Sequence, residues 1–436
     1  MDCALARVSF SLSLLFMTGF STLSLGAGVS LREQSIRSAS MAMAADGVGV
    51  GDAASLYANP ASIGNLSGQH ISLGLRSVSS SAEWKGTGAG STVETSQSAK
   101  SKNGMLPSLH GVHAINDKVN VGWGVAPTFG ASVEYEDNWM GRYYSEEIAL
   151  SNLVLDVVGS YKVSDNLVVG GGVYYSQSSF TLATAVDIGR LTQAAGGTPF
   201  AQDSSMTFEG DSAGAGYSLG ALYKPMDNLT VGLGFRSALV NEYEGSVTYK
   251  DSSAQAAAFR STASATNATL AASSDATVRT VQPQIATLGI SYDLDVGSSL
   301  FVNINQTKWS SNGRLDVKYN NGFTGEEIDY EDTLSYSIGG QYQLDEAITL
   351  RGGVGIDPEV ATTAASKGVR GVDGNRTIVA LGGGYKVSDY TFDFGYSMYM
   401  IDEVKVARAE SLTKSALNAK GNSTLSFFML GGSMTL

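Results

Sequence analysis

Long stretches of this chain alternate strictly between bulky apolar residues and residues that are small or polar. In the segment 229–236, one parity carries Leu, Val, Leu and Phe, and the other carries Thr, Gly, Gly and Arg. The segment 391–400 repeats the pattern, with Phe, Phe, Tyr, Met and Met on its even positions. Because successive side chains of a strand point to opposite faces, this period of two predicts β-strands with one apolar face.

Two architectures can be built from such strands. Strands of a soluble β-sandwich are about 5 to 6 residues long, whereas several alternating segments here are much longer. Bulky apolar residues on one face, opposed by glycine and small polar residues on the other, are typical of a barrel with lipid outside and a polar lumen. The alternation therefore favours a transmembrane barrel, and a large soluble sandwich stays the alternative.

A short motif recurs where one strand ends and the next begins, as in YKVSDN, YKPMDN and YKVSDY. Each copy places a tyrosine on the parity of the apolar face, followed by a tight turn that contains Asp or Asn. On a barrel, these tyrosines would form an aromatic girdle at one membrane interface. They are Tyr161, Tyr223, Tyr292, Tyr342 and Tyr385.

The alternate connections are long. Short turns at one end and long loops at the other are typical of outer-membrane barrels, whose turns face the periplasm and whose loops face the exterior. The long connections lie near residues 87–103, 189–205, 252–275, 361–374 and 411–421. The segments in between number about 14, an even count as this class requires. The predicted fold is all-β: a transmembrane antiparallel β-barrel of about 14 strands at residues 69–436.

The N-terminus has the features of an export signal. Residues 8–23 form an apolar stretch broken by Ser and Gly, and small residues follow around Gly26. This pattern predicts a cleaved signal peptide at residues 1–26, and together with the predicted barrel it indicates a location in the bacterial outer membrane. A membrane anchor is the alternative, but the stretch is short of the ~18 residues that a spanning helix needs.

Composition excludes several classes of function. The net charge is −13 and no basic cluster occurs, so a nucleic-acid partner is not expected. The single cysteine, Cys3, lies within the predicted signal peptide, which leaves no disulfide and no Cys metal site. His70, His110 and His113 lack the spacing of a metal site or a catalytic triad, although Ser108 is close to His110. We therefore expect no enzyme activity, no catalytic residue, no metal and no cofactor.

Several blocks of the chain resemble the FadL/TodX family of outer-membrane transporters of hydrophobic compounds. They are SASMAMAADGVGVGDAASLYANPASIGNL near the N-terminus, then VAPTFG, NWMGRYYSEEIALSNLVLDVVGSYKVSDNLVVGGGV, GLGFRS, TKWSSNGRL, LRGGVGIDPEV and DGNR. Their order matches the family over almost the whole mature chain. Two features differ: Leu436 stands where the family has an aromatic residue, and the loop at 252–275 is small and polar.

The resemblance implies an N-terminal hatch. In the family, the segment before the first strand folds back into the barrel and carries an Asn-Pro-Ala turn, which here is Asn59, Pro60 and Ala61. Residues 27–68 are too polar to span lipid, too rich in glycine for a stable helix, and about the right amount of chain to fill such a lumen. Proline fixes its own φ and restricts the residue before it, which favours a turn. A simple turn leading into the first strand is the alternative.

The resemblance also implies a lateral opening. Pro127 interrupts a long alternating segment and is followed by Phe129 and Gly130. Proline cannot donate to a β-ladder, and a closed barrel has no free edge to place it on. The family has a kinked third strand that opens the wall sideways, and Pro127, Phe129 and Gly130 match that position. A bulge at the barrel rim is the alternative.

Two arginines are candidates for ligand binding. Arg236 and Arg351 lie on the inward parity of their segments. A guanidinium group can bind a fatty-acid carboxylate through two hydrogen bonds. The alternative is that both arginines pair with acids of the wall or hatch, such as Asp156 or Asp393.

These observations predict passive uptake of hydrophobic small molecules, with long-chain fatty acids as the expected ligand. The ligand would bind in the lumen and leave sideways into the bilayer, because each CH₂ exposed to water costs about 0.8 kcal/mol. The hatch turn at Asn59 would have to shift to connect the binding site with the opening. We expect a monomer in contact with outer-membrane lipid and lipopolysaccharide. A general diffusion porin for polar solutes and a surface receptor or adhesion barrel are the alternatives.

Overall fold

The computed structural model describes most of the chain. The described residues are 30–100, 103–265, 270–295, 297–319, 322–327, 329–411 and 414–436. The predicted signal peptide lies outside the described residues, as do residues 27–29 of the predicted hatch.

Within the described residues, fourteen antiparallel strands form one sheet that closes on itself. Each strand pairs with its neighbours in the chain, and the last strand pairs with the first from His70–Thr435 to Thr87–Asn418. The strands are β1 Gln69–Thr87, β2 Asn103–Asn116, β3 Val119–Ala126 with Gly130–Glu134, β4 Glu147–Ser164, β5 Leu167–Asp187, β6 Asp203–Met226, β7 Leu229–Arg236 with Leu239–Asp251, β8 Ser273–Gln282 with Ile285–Asp295, β9 Ser298–Thr307 with Arg314–Tyr319, β10 Gly322–Glu327 with Thr333–Gln343, β11 Ile348–Asp357, β12 Arg376–Val387, β13 Tyr390–Ile401 with Val404–Arg408 and β14 Leu417–Thr435. The prediction of a barrel with about 14 strands is confirmed, and a short strand, Thr95–Ser98, pairs with β1 in the first loop.

The outer face of the barrel is apolar. Leu233 on β7 and Phe392 and Phe394 on β13 are each more than half exposed, as alternation predicts for side chains that face lipid. The five tyrosines of the turn motif are 44–57 % exposed, so all of them point outward beside the short turns. Lipid therefore sets the parity of each strand, and the opposite parity faces the lumen.

The helices are short, and three of them, α1, η1 and η2, belong to the segment before the first strand. The structure has α1 Ile36–Ala39, α2 Ile188–Leu191 and α3 Ala254–Ser264, and the 3₁₀ helices η1 Ala53–Tyr57, η2 Pro60–Asn65, η3 Gln193–Ala195 and η4 Trp309–Ser311. Helix α3 lies in a long loop for which the sequence analysis expected no helix. It forms because the Ser253 side chain accepts a hydrogen bond from the Ala256 N–H and caps an alanine-rich segment. None of the described helices is long and apolar enough to cross a membrane.

The N-terminal segment before β1, which we call the hatch, packs against inward-facing residues around the barrel. Six wall glycines let its backbone approach closely, and we call them the glycine seam. A Cβ on any of them would come within 2.0–2.7 Å of hatch backbone or of the Asn59 side chain. They are Gly170 on β5, Gly220 on β6, Gly232 and Gly234 on β7, Gly289 on β8 and Gly353 on β11. These contacts are those expected of a segment that fills the lumen.

A matched pair of adjacent glycines tests whether the seam holds the hatch. A Cβ at Gly353 would meet the Met41 carbonyl oxygen of the hatch at 2.3 Å, whereas at Gly352, on the outer face, the nearest atom is a Leu381 methyl at 3.3 Å. We expect Gly353→Ala to displace the hatch, to raise ion conductance in planar bilayers and to lower the free energy of unfolding by about 1–3 kcal/mol. Gly352→Ala should leave the ion conductance and the free energy of unfolding close to those of the wild type. Equal behaviour of the two variants would show that the seam does not hold the hatch.

Candidate functional site

Strand β3 is broken, and the break interrupts its pairing with β2. The pairing of β2 with β3 ends at Leu109–Val125. After residues 127–129, β3 resumes but pairs only with β4, from Gly130–Ser151 to Glu134–Glu147. The facing part of β2, residues 103–108, pairs only with β1. We call the unpaired region between β2 residues 103–108 and β3 residues 127–134 the lateral gap.

The cause of the break is the proline that the sequence analysis singled out. Pro127 has no N–H to donate, so the β-ladder cannot continue through it. The interruption spans three residues, more than the single extra residue of an ordinary bulge. The kink at Pro127, Phe129 and Gly130 therefore has the geometry expected of a lateral opening, while its use in transport stays a prediction.

The backbone groups that the break frees are bound by the start of the hatch and by β4. Ser30 forms an isolated antiparallel bridge with Phe129, and the Leu31 N–H donates to the Thr128 carbonyl at 2.9 Å. The Gln34 side chain donates to the Pro127 carbonyl at 2.8 Å. Asn152 on β4 accepts hydrogen bonds from two backbone N–H groups of the kink, at 2.9 and 2.8 Å. Residues 30–34, which we call the closing segment, therefore cover the lateral gap from inside the barrel.

A small cavity lies beside the closing segment. Its apolar lining includes Leu31, Trp309, Leu425 and Phe427. The space open to the centre of a water molecule is about 30 Å³, enough for one or two waters and too small for a long alkyl chain. The Phe129 ring of the kink lies 6.3 Å from the Trp309 ring, centroid to centroid. The cavity and the lateral gap are thus separated only by a few side chains and the closing segment.

The same cavity contains charged groups. Arg376 pairs with Asp357 at 3.1 Å, and the Tyr399 hydroxyl donates to the Glu33 carboxylate. Arg32 is half-buried and donates to the Ser335 hydroxyl at 3.0 Å. Among the residues that the structure describes, no carboxylate lies within ion-pair distance of Arg32, although Asp357 and Asp46 are near enough to attract its charge. Its guanidinium thus has no direct carboxylate partner.

Sequence reasoning missed both arginines of this cavity. Arg376 could have been found, because it shares the inward parity of β12 with Ile378 and Ala380. Arg32 carries no such signal, since it lies in the hatch, where no periodicity indicates which side chains face the ligand.

The two arginines that the sequence analysis selected lie elsewhere in the lumen. Arg236 pairs with Asp156 at 2.7 Å, and its guanidinium lies 3.8 Å from the Tyr174 ring centroid and 4.6 Å from that of Tyr57 in the hatch. The expected inward parity is therefore observed, and so is the alternative that we weighed, pairing with Asp156. A direct contact of Arg236 with ligand stays a prediction.

Arg351 has a comparable arrangement. It pairs with Asp393 at 2.7 Å, and the other oxygen of that carboxylate accepts from Arg37 of the hatch at 2.8 Å. Like Arg236, Arg351 is absent from the lining of the cavity beside the closing segment. Its contact with ligand also stays a prediction, and the geometry indicates a tie between hatch and wall.

The Asn-Pro-Ala turn fixes the hatch to the wall. Asn59 is completely buried, and its Oδ1 accepts from the Ala61 N–H at 2.9 Å, which caps η2 at Pro60. Its Nδ2 donates to the Gly47 carbonyl at 2.6 Å and to the Ala221 carbonyl of β6 at 3.2 Å. The turn therefore leads into a short helix and locks the middle of the hatch in place.

The histidines form no catalytic arrangement among the described residues. Ser108 and His110 are both buried on the inward face of β2, but the His110 Nδ1 has no hydrogen-bond partner there. A catalytic triad needs an acid at that nitrogen. In the described part of the chain, no group of three or more His, Cys, Asp or Glu residues could hold a metal ion.

The closed barrel, its apolar exterior, the filled lumen and the gap beside β3 define an outer-membrane transport barrel. Residues 17–435 match the family model described as outer membrane protein transport protein (OMPP1/FadL/TodX), and the chain belongs to this family. The family transports hydrophobic compounds across the outer membrane.

Relatives and solved structures agree with this assignment. The chain is 26 % identical over 446 residues to an outer membrane protein of Neisseria meningitidis serogroup B, covering 95 % of this chain and 94 % of that protein. It is 23 % identical to the long-chain fatty acid transport protein of Escherichia coli, covering 93 % and 94 %. A FadL homologue from Pseudomonas aeruginosa has the same fold, with a TM-score of 0.84, 21 % identity and coverage of 96 % and 99 %. The toluene transporter TodX of Pseudomonas putida superposes with a TM-score of 0.64 at 17 % identity, covering 88 % and 94 %.

A charge-removing variant tests the role of Arg236. Asp156→Asn would leave the buried guanidinium of Arg236 without its carboxylate, and breaking a buried ion pair in this way costs about 3–5 kcal/mol. We expect a lower free energy of unfolding, measured by urea titration of the purified barrel. The exposed Asp211 on β6 provides the control, Asp211→Asn, which should unfold like wild type. If Asp156→Asn kept normal stability and lost only ligand binding, Arg236 would be a ligand-binding residue after all.

Proposed function

We propose that this protein carries long-chain fatty acids passively across the outer membrane. The ligand would bind in the cavity beside the closing segment and leave through the lateral gap into the bilayer. The observation that carries the proposal is a partly apolar cavity with a guanidinium, Arg32, placed next to a break in the wall. We also expect a monomer that contacts lipopolysaccharide, as the sequence predicts.

The charge of the cavity favours a fatty acid over a neutral hydrocarbon. Arg32 donates to the Ser335 hydroxyl, and its nearby carboxylates, Asp357 among them, lie beyond ion-pair distance. A fatty acid carboxylate would bind this guanidinium directly, whereas an aromatic hydrocarbon would not. The similarity to the Escherichia coli fatty acid transport protein supports the same ligand class. A toluene transporter also has a similar fold, so the fold alone does not distinguish the two ligand classes.

Release through the wall is favourable for a long chain. A fatty acid that left into the periplasm would expose its tail to water at about 0.8 kcal/mol for each CH₂. Through the lateral gap, the tail moves from one apolar environment to another. Because the cavity adjoins Phe129 of the kink, the path from binding site to lipid is short.

Transport on this route requires a movement, because the cavity is too small for the ligand. We place that movement at the closing segment. Its ties to the kink are the Ser30 bridge and the hydrogen bonds of Leu31 and Gln34, whereas Asn59 and the glycine seam hold the rest of the hatch tightly. The Asn-Pro-Ala turn, which the sequence analysis expected to shift, would then stay in place as an anchor.

A diffusion porin for polar solutes needs an open lumen, and here the hatch occupies it. No observation in the described residues favours a receptor or adhesion role either. Transport of a hydrophobic ligand is therefore favoured over a diffusion porin and over a receptor or adhesion barrel.

The proline of the kink gives the test of the proposal. Pro127→Val restores an N–H and a strong β-former, so β3 can extend its ladder towards β2 and narrow the lateral gap. In cells that lack their own fatty acid transporter, we expect the wild type to take up labelled long-chain fatty acid and the variant to do so several-fold more slowly. Binding of the fatty acid to the purified variant should stay near the wild-type level.

The matched control is Pro225→Val, because Pro225 lies at the exposed end of β6 beside a short turn. That variant should transport normally. A well-assembled Pro127→Val protein with a normal uptake rate would contradict release through this strand. A wild type that takes up no fatty acid would contradict the proposed ligand.

A further inference from the structure

One buried arginine in the lumen has no acidic partner. Arg76 on β1 faces inward and is completely buried. Its Nη1 donates to the backbone carbonyl of Glu33 at 2.9 Å and its Nε to that of Leu106 at 3.4 Å. Its Nη2 has no hydrogen-bond partner. Among the described residues, no carboxylate forms an ion pair with Arg76.

This arrangement differs from that of the other arginines of the inner wall. Arg236, Arg351 and Arg376 each pair with an aspartate at 2.7–3.1 Å. Buried charges in proteins are paired almost without exception, because an uncompensated charge in a medium of low polarity is costly. Arg76 has only two hydrogen bonds, both to backbone carbonyls and one of them long, so the cost of burying its charge is poorly compensated. The structure thus holds a buried cation that the Glu33 carboxylate attracts from a distance but that no carboxylate contacts directly.

The position of Arg76 links it to the lateral gap. In the register of the sheet, Arg76 lies opposite Leu106, which belongs to the stretch of β2 that has no partner on β3. Its acceptor, Glu33, belongs to the closing segment that covers the gap. When the closing segment moves away, Arg76 loses the Glu33 carbonyl, and its guanidinium faces the path from the cavity to the gap.

We propose that Arg76 receives the carboxylate of the ligand at the lateral gap while its tail enters the bilayer. Arg32, adjacent to Glu33 in the chain, would hold the same carboxylate earlier, in the cavity. The exchange is balanced: the guanidinium gives up one neutral carbonyl and gains a charged acceptor, and Nη2 gains a hydrogen bond. The inference rests on the proposed function and adds to it a second binding site, for the anionic head group of an amphiphile.

A pair of ligands that differ only in the head group separates this role from a structural one. Hexadecanoate and hexadecanol have the same chain length, and only the first carries a carboxylate. In cells that lack their own fatty acid transporter, we expect Arg76→Gln to lower hexadecanoate uptake about tenfold, the effect of losing one charge-assisted hydrogen bond, and to leave hexadecanol uptake within about twofold of wild type.

Further variants make the experiment decisive. Arg76→Lys keeps the charge, so its ratio of hexadecanoate to hexadecanol uptake should lie between those of Arg76→Gln and wild type. Arg76→Met buries no unpaired polar group and tests the same loss of charge if Arg76→Gln fails to assemble. The control is Arg260→Gln, since Arg260 pairs with Asp251 beside the loop helix α3, and it should leave the ratio unchanged.

Two results would overturn the inference. An equal loss of both ligands in assembled Arg76 variants would mean that the residue only supports the fold, and unchanged uptake of both would mean that it does not act on the ligand. A wild type that takes up neither ligand would refute the proposed function itself, and that result is distinguishable from the other two.

Discussion

The structure depends on one constraint: every backbone N–H and C=O group in the wall of the barrel needs a hydrogen-bond partner. In lipid, each unsatisfied N–H or C=O costs several kcal/mol, so transmembrane strands pair on both sides. Pro127 makes this impossible at one place, and the groups that it frees must find other partners. They find them in Asn152 of the neighbouring strand and in residues 30–34 of the hatch. The start of the hatch thus supplies hydrogen bonds that the wall lacks at the kink. A movement of this segment would therefore open the wall at that point.

The hatch has two parts that contact different regions of the wall. One part contacts the glycine seam with its own backbone and is tied to the wall through Asn59 and through the Arg37–Asp393–Arg351 cluster. The closing segment is held by hydrogen bonds to the kink and by the burial of Leu31, and the seam glycines face residues 41–61 instead. Its release would leave the seam contacts of the rest of the hatch intact. The lumen can therefore stay closed to polar solutes while the path beside β3 changes.

Much of the fold follows from the sequence, because each strand must place apolar residues towards lipid and can place small or polar residues only towards the lumen. Alternation indicated the strands and the outward parity of Phe392 and Tyr161, and a proline inside a long strand indicated the break in the wall. The same parity placed Arg236 and Arg351 in the lumen. It could not reveal their partners: Asp156 is 80 residues from Arg236 along the chain, and only the closed sheet brings them together.

The candidate site was harder to predict because it depends on the hatch, which has no periodicity. Arg76 lies on the inward parity of β1 in the way that Arg236 lies on that of β7, yet the sequence analysis selected only Arg236. The folded structure shows that Arg236 has a carboxylate of the wall, Asp156, whereas Arg76 has a carbonyl of the closing segment. Helix α3 was missed for a related reason, since a loop rich in Ala and Ser has no apolar stripe to indicate a helix.

The central claim is that the closing segment must leave the kink for transport, and a reversible cross-link tests it most directly. Ser30 and Phe129 form an antiparallel bridge, in which Cα atoms lie about 4.5–5.5 Å apart, within the range that a disulfide spans. The only native cysteine, Cys3, lies in the predicted signal peptide, so a protein with Ser30→Cys and Phe129→Cys would form this disulfide without competition. The account predicts that the oxidised protein takes up no fatty acid and that reduction restores uptake to the level of the two single variants. Equal uptake by the oxidised and reduced forms would contradict it.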